Sequence, residues 1–152
     1  MSRAEKAKDY FEQGYACSQA VALVFADVMN MDEETVCKIM LPFGGGLGRL
    51  RLTCGAVSGM AAVVGVVFAG AENTPENKKQ IYEIVRALCA AFERENGSLI
   101  CADLLAGANL KVEIGGEAEK RSETYYKKRP CGEIVCSAAR ILESYLMEKG
   151  RL

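Results

Sequence analysis

The chain has 152 residues, enough for one domain with a packed core and too few to expect two. Half of them are hydrophobic, 26% are charged and the formal net charge is −1, which excludes a disordered chain and leaves no basic surface for nucleic acid. Seven cysteines occur and no histidine, so Ser–His and Cys–His catalysis, imidazole metal ligands and haem attached through Cys-x-x-Cys-His are all ruled out.

Met1-Ser-Arg-Ala-Glu-Lys leads directly into a charged amphipathic stretch without a secretory pattern, so a cytoplasmic location is expected. Thiols stay reduced there, and spare ones point to metal or redox work. Ser2-x-x-Glu5 is a capping box for a first helix with Ala4, Ala7, Tyr10 and Phe11 on its apolar stripe, ending at Gly14. A second helix begins near Cys17 and carries Ala20, Val21, Val24, Phe25 and Val28 on one face. Asp32 caps a short third helix that stops at Pro42.

The glycine-rich loop Phe43-Gly-Gly-Gly-Leu-Gly-Arg49 then opens a fourth helix with Cys54 at its mouth. No charge occurs from Leu52 to Ala71, which raises the question of a membrane span. Gly55, Ser58, Gly59, Gly65 and Gly70 dilute the run, so a buried helix over about residues 55–69 at the centre of a bundle is expected instead. Gly55 and Gly59, four apart, leave a smooth face for another backbone. The loop lacks the Walker Lys-Ser/Thr and the preceding strand of a dinucleotide fold, so its expected role is to let backbone approach the cysteines.

Thr74-Pro75-Glu76 starts a fifth helix that ends near Asn96-Gly97, and Ser98 is placed to cap a sixth that closes at Gly107. Lys111 to Ile114 reads as a short extended piece, and Glu117 to Lys128 as one exposed, solvated helix bearing Tyr125 and Tyr126. Pro130 opens the last helix, with Ile134, Val135, Ala138, Ile141, Leu142 and Tyr145 as its stripe. The expected fold is a single all-α domain over residues 1–152, a helical bundle around the central apolar helix. A homodimer is expected if part of that helix is left uncovered.

Four cysteines share a position. Cys17, Cys54, Cys101 and Cys131 all fall in the first turn of a helix, where free backbone N–H groups and the helix dipole favour the thiolate. If those helix starts converge, they form a four-thiolate pocket suited to an iron–sulfur cluster, or to zinc. Cys37, Cys89 and Cys136 fall mid-helix and read as packing, with Cys136 the alternative to Cys131 as fourth ligand.

These residues also carry a resemblance. Cys54-Gly-Ala-Val-Ser-Gly59, with Cys17-Ser-Gln-Ala-Val before it and Cys101 and Cys131 after it, resembles the C_GCAxxG_C_C family, whose members are described as redox-active. Members are similar to the iron–sulfur part of split-Soret cytochromes, so the resemblance implies a bound cluster; the haem-binding part has no counterpart here. Cys131 is followed by glycine where the family pattern leads one to expect proline. The expected function is a redox-active protein that holds one iron–sulfur cluster on Cys17, Cys54, Cys101 and Cys131 and exchanges electrons with a donor or acceptor protein. The alternatives are a metal-free thiol/disulfide protein and a structural zinc-binding interaction module.

Overall fold

Side-chain caps set the helix starts that the sequence announces. In the computed structural model, which describes residues 1–152, α1 (Arg3–Glu12) opens on the reciprocal Ser2–Glu5 capping box. The Asp32 carboxylate accepts from Thr35 N–H at the start of α4 (Glu33–Met40). Thr74, followed by proline in the first turn, caps α6 (Pro75–Asn96), which ends on left-handed Gly97. Between α1 and α4 the expected second helix is broken into α2 (Cys17–Leu23) and α3 (Ala26–Met29), with fully buried Phe25 at the break.

The remaining helices are α5 (Gly55–Phe68), α7 (Cys101–Gly107), α8 (Glu123–Lys128) and α9 (Cys131–Glu148), nine in all with no sheet. Lys111 to Ile114 is loop, and only the end of the expected 117–128 helix forms, capped by Ser122. No helix is long and apolar enough to cross a membrane.

The bundle is built by α1 against α9, α2 against α5, and α6 against both α5 and α9. Its core joins Phe25, Met60, Phe92, Leu142 and Leu146 in one cluster, each burial contributing on the order of 1.5–3 kcal/mol. The close packing of α2 on α5 depends on glycine. A β-carbon at Gly59 would stand 2.9 Å from the Ser18 carbonyl oxygen, and one at Gly55 would stand 2.5 Å from the Cys17 sulfur. The smooth face expected from the sequence is therefore used, and it places Cys17 against the start of α5.

No single helix forms the centre. The apolar α5 buries Ala56, Val57, Met60, Val63 and Val64, but Val66 is 47% exposed and the last turn lies at the surface. The core is shared among α2, α5, α6 and α9.

Candidate functional site

All four cysteines do stand at helix starts. Cys17, Cys101 and Cys131 are the first residues of α2, α7 and α9, and Cys54 is the residue on which α5 begins. Cys17 is oriented by its neighbours in sequence. Ser18 Oγ donates to the Met40 carbonyl at 2.7 Å, while Gln19 closes the helix start on Ala16 N–H and donates to the Cys37 carbonyl. Both side chains are buried, so the Cys-Ser-Gln run ties the start of α2 to the end of α4.

A contact between residues about fifty positions apart, not foreseen from the sequence, brings Cys54 and Cys101 together. Thr53 and Ile100 form an isolated antiparallel bridge. Around it Cys54 N–H donates to the Leu99 carbonyl at 2.8 Å and Cys101 N–H to the Leu52 carbonyl at 2.6 Å.

The glycine loop is wound left-handed. Positive φ runs through Gly45, Gly46, Leu47, Gly48 and Arg49 and recurs at Arg51. Leu47, Arg49 and Arg51, at 69°, 64° and 62°, are not glycine. Each such residue costs roughly 1–2 kcal/mol. Hydrogen bonds from Arg51 N–H to the Gly45 carbonyl (3.0 Å) and from Leu52 N–H to the Gly46 carbonyl (2.9 Å) hold the coil closed. Its backbone runs so near α7 that a β-carbon at Gly46 would lie 2.7 Å from that of Cys101. Strain accepted here points the Gly45 N–H at the Cys17 sulfur and the buried Arg51 at Cys101.

The electrostatics separate the four thiols. The Cys54 thiol donates to Cys17, with the N–H groups of Gly45 and Ser18 and the Arg121 cation adding to it, and together they outweigh burial and bring Cys17 down to about 6. Cys54 moves the other way. The neighbouring Cys17 sulfur and burial hold it well above the ordinary thiol range, opposed by the Ala56 N–H. Burial also raises Cys101, against the pull of Arg51, whose guanidinium donates to its sulfur at 3.6 Å. Cys131 is pushed up to about 12, chiefly by burial. Cys17 is thus the one of the four shifted toward the thiolate, and the other three are shifted away from it.

Cys17, Cys101 and Cys131 line one cavity of about 310 Å³. Two arginines also reach it, Arg121 from the stretch expected to be a solvated helix and Arg129 just beyond that stretch. Arg121 lies over the rings of both Phe11 (4.4 Å) and Tyr125 (4.7 Å) and donates to the carbonyls of Phe11 and Tyr15. Arg129 pairs with Glu119 and lies 4.9 Å from the Tyr125 ring. Cys136 is elsewhere, its thiol donating to the Ala4 carbonyl at 3.2 Å, so it is no substitute for Cys131.

This arrangement corrects the cofactor expectation. No group of three or more cysteine, aspartate or glutamate side chains is placed to hold a metal ion, so neither the expected iron–sulfur cluster nor the zinc alternative fits. The physical reason lies in the partners. Cys54 turns to Cys17 and Cys101 meets the Arg51 guanidinium, so the four sulfurs do not present themselves together to one central ion. All seven cysteines are free thiols.

No curated protein and no solved structure matches the chain. Residues 15–145, which contain all four helix-start cysteines, match the family described as "Putative redox-active protein (C_GCAxxG_C_C)". The chain therefore belongs to the C_GCAxxG_C_C family.

Proposed function

We propose that the protein carries out thiol–disulfide exchange, with Cys17 as the attacking thiolate and Cys54 as the resolving thiol. The observation that carries this reading is the pairing of Cys17, which lines a cavity, with the buried Cys54 thiol beside it. A thiolate stable near neutral pH is the nucleophile of such exchange, and a second thiol already within hydrogen-bonding reach is placed to complete it. Family membership supports the redox class.

The Cys17 thiolate attacks one sulfur of a substrate disulfide, forming a mixed disulfide and expelling the other sulfur as a thiolate. Removal of the Cys17 charge takes away what chiefly holds Cys54 protonated, and the Ala56 N–H remains to favour its thiolate. Cys54 gives up its proton to the departing thiolate and attacks Cys17 Sγ, releasing the second substrate thiolate. The substrate disulfide is reduced by two electrons, and the protein dithiol becomes the Cys17–Cys54 disulfide.

In this reading the chain works as one domain in a reducing, cytoplasmic setting, and a partner reductant restores the dithiol. Leu41 at the cavity and Leu47, Leu50 and Leu52 along the glycine-loop segment are exposed, which supports pairing with a second copy that sedimentation would detect.

The test of the thiolate is alkylation of Cys17 against pH, followed residue by residue by mass spectrometry. Wild type should titrate near pH 6, and Cys54→Ala should move the midpoint up toward the free-thiol value of about 8.5. Cys54→Ser, which keeps a donor, should hold the low midpoint. A Cys17 midpoint near that of free cysteine in wild type would refute the reading.

A further inference from the structure

The proposed exchange draws on only part of the positive charge around the cavity, the Arg121 cation that favours the Cys17 thiolate. Arg49, Arg51, Arg121 and Arg129 all line the cavity, against the single carboxylate of Glu119. Glu119 is already paired with Arg129, and Arg49 has only a distant carboxylate, Glu113 at 3.9 Å. Arg51 and Arg121 have none within salt-bridge reach. Arg51 is only 6% exposed, and its partners are the Glu113 carbonyl (2.9 Å) and the Cys101 sulfur. A buried cation satisfied only by neutral acceptors is costly unless an anion joins it.

A second, larger cavity of about 670 Å³ shares the wall made by Arg49, Arg51, Tyr125 and Arg129 and adds Lys111 and Lys128. Its acidic residues are Glu113, Glu117 and Glu119, so across both cavities cations outnumber carboxylates. Arginine forks recognise carboxylates with paired hydrogen bonds, and a confined cationic cleft concentrates anions. The first cavity is at the small end of ligand-site volumes. It suits the sulfur-bearing arm of a small molecule better than a folded protein surface.

We infer that the Cys17–Cys54 pair acts on a small disulfide bearing carboxylate groups, its sulfurs entering the cysteine cavity while its carboxylates meet Arg51, Arg121 and the shared arginine wall. This rests on the thiol–disulfide reading above and specifies its substrate class. The exchange is the one already written, the small disulfide being the oxidant and leaving as two thiols.

Three small disulfides of different charge test it: dithiodiglycolate (dianion), hydroxyethyl disulfide (neutral) and cystamine (dication). The rate at which each oxidises the reduced protein is divided by its rate with mercaptoethanol at the same pH and salt, which removes intrinsic reactivity. At low salt, dithiodiglycolate should exceed cystamine by about 10-fold or more, with the neutral compound between them. Raising the salt should flatten the order in wild type, and Arg121→Gln should reduce it at constant salt. The salt series needs no substitution, so the test survives any folding defect in the variant. Reaction with all three in no charge order overturns the substrate inference alone. Failure of all three to oxidise Cys17 and Cys54 overturns the exchange reading, and this inference with it. An acidic peptide disulfide that outpaces dithiodiglycolate after the same correction would make the substrate a protein and overturn the inference as well.

Discussion

Substitution of Gly55 by alanine isolates what the approach of α2 to α5 does for the site. The added β-carbon would stand 2.5 Å from Cys17 Sγ, 3.0 Å from the Phe43 carbonyl oxygen and 3.1 Å from Ser18 N. Two of these three neighbours are backbone, so the strain cannot be relieved by a rotamer change. Overpacking of this kind costs about 1–3 kcal/mol, more than the helix propensity that alanine gains over glycine, about 0.8–1 kcal/mol in a helix interior and less in a first turn. Gly65 is the control. It lies in the same helix with nothing within 4 Å of a built β-carbon, so Gly65→Ala should stabilise by about 0.4–1 kcal/mol.

Urea midpoints measure the stability difference, and the pH profile of Cys17 alkylation measures the site. Gly55→Ala should lower the midpoint and raise the Cys17 titration from near pH 6, because the sulfur is pushed off the Cys54 thiol and the Gly45 and Ser18 N–H groups. Gly65→Ala should leave the titration unchanged. If Gly55→Ala behaves like Gly65→Ala in both measurements, the steric account of the site is wrong.

Cys37→Ala and Cys89→Ala should each cost about 1 kcal/mol or less and leave the Cys17 titration where it is, since both thiols are remote, half-buried packing groups. An altered Cys17 profile in either variant would show that the sorting of the cysteines is mistaken. Stability should also depend on pH with a definite sign. Between about pH 6 and 8.5 the unfolded chain binds a proton at Cys17 that the native chain does not, so unfolding free energy should rise with pH across that window in wild type and not in Cys17→Ser. Above about pH 9 the raised Cys54 and Cys131 act oppositely, because unfolded thiols ionise while the native ones stay protonated, and stability should fall again. Urea midpoints of the two proteins across pH decide this; a flat wild-type profile between pH 6 and 8 would contradict it.

The features legible in the sequence were those fixed by neighbours along the chain. Ser2 with Glu5, Asp32, and Thr74 with Pro75 each carry their capping chemistry within a few residues, and the structure uses all of them. Placement of four cysteines at helix starts could be read for the same reason. The Thr53–Ile100 bridge was hidden, because a single pair leaves no alternating pattern. Arg121 resembled a solvated charge, since the Phe11 ring that it covers lies 110 positions earlier. The uncharged run from Leu52 to Ala71 suggested a helix buried on every side, but absence of charge does not require burial, and Val66 faces outward. The shared metal site failed on a similar point. Helix-start placement is legible at each cysteine taken alone, whereas the direction each sulfur takes depends on long-range packing, which turns Cys54 to Cys17 and sets Cys101 against Arg51.

The most direct measurement of the central claim is disulfide mapping after controlled oxidation. The reduced protein is treated with one equivalent of a small disulfide, quenched in acid, alkylated and digested, both in wild type and in a Cys101→Ser, Cys131→Ser double variant. The account predicts one disulfide, Cys17–Cys54, formed in both proteins and fully reversed by dithiothreitol, with Cys37, Cys89 and Cys136 alkylated throughout. Recovery of Cys17 and Cys54 as separately alkylated thiols, or of Cys17 joined to a different cysteine in wild type, would contradict it.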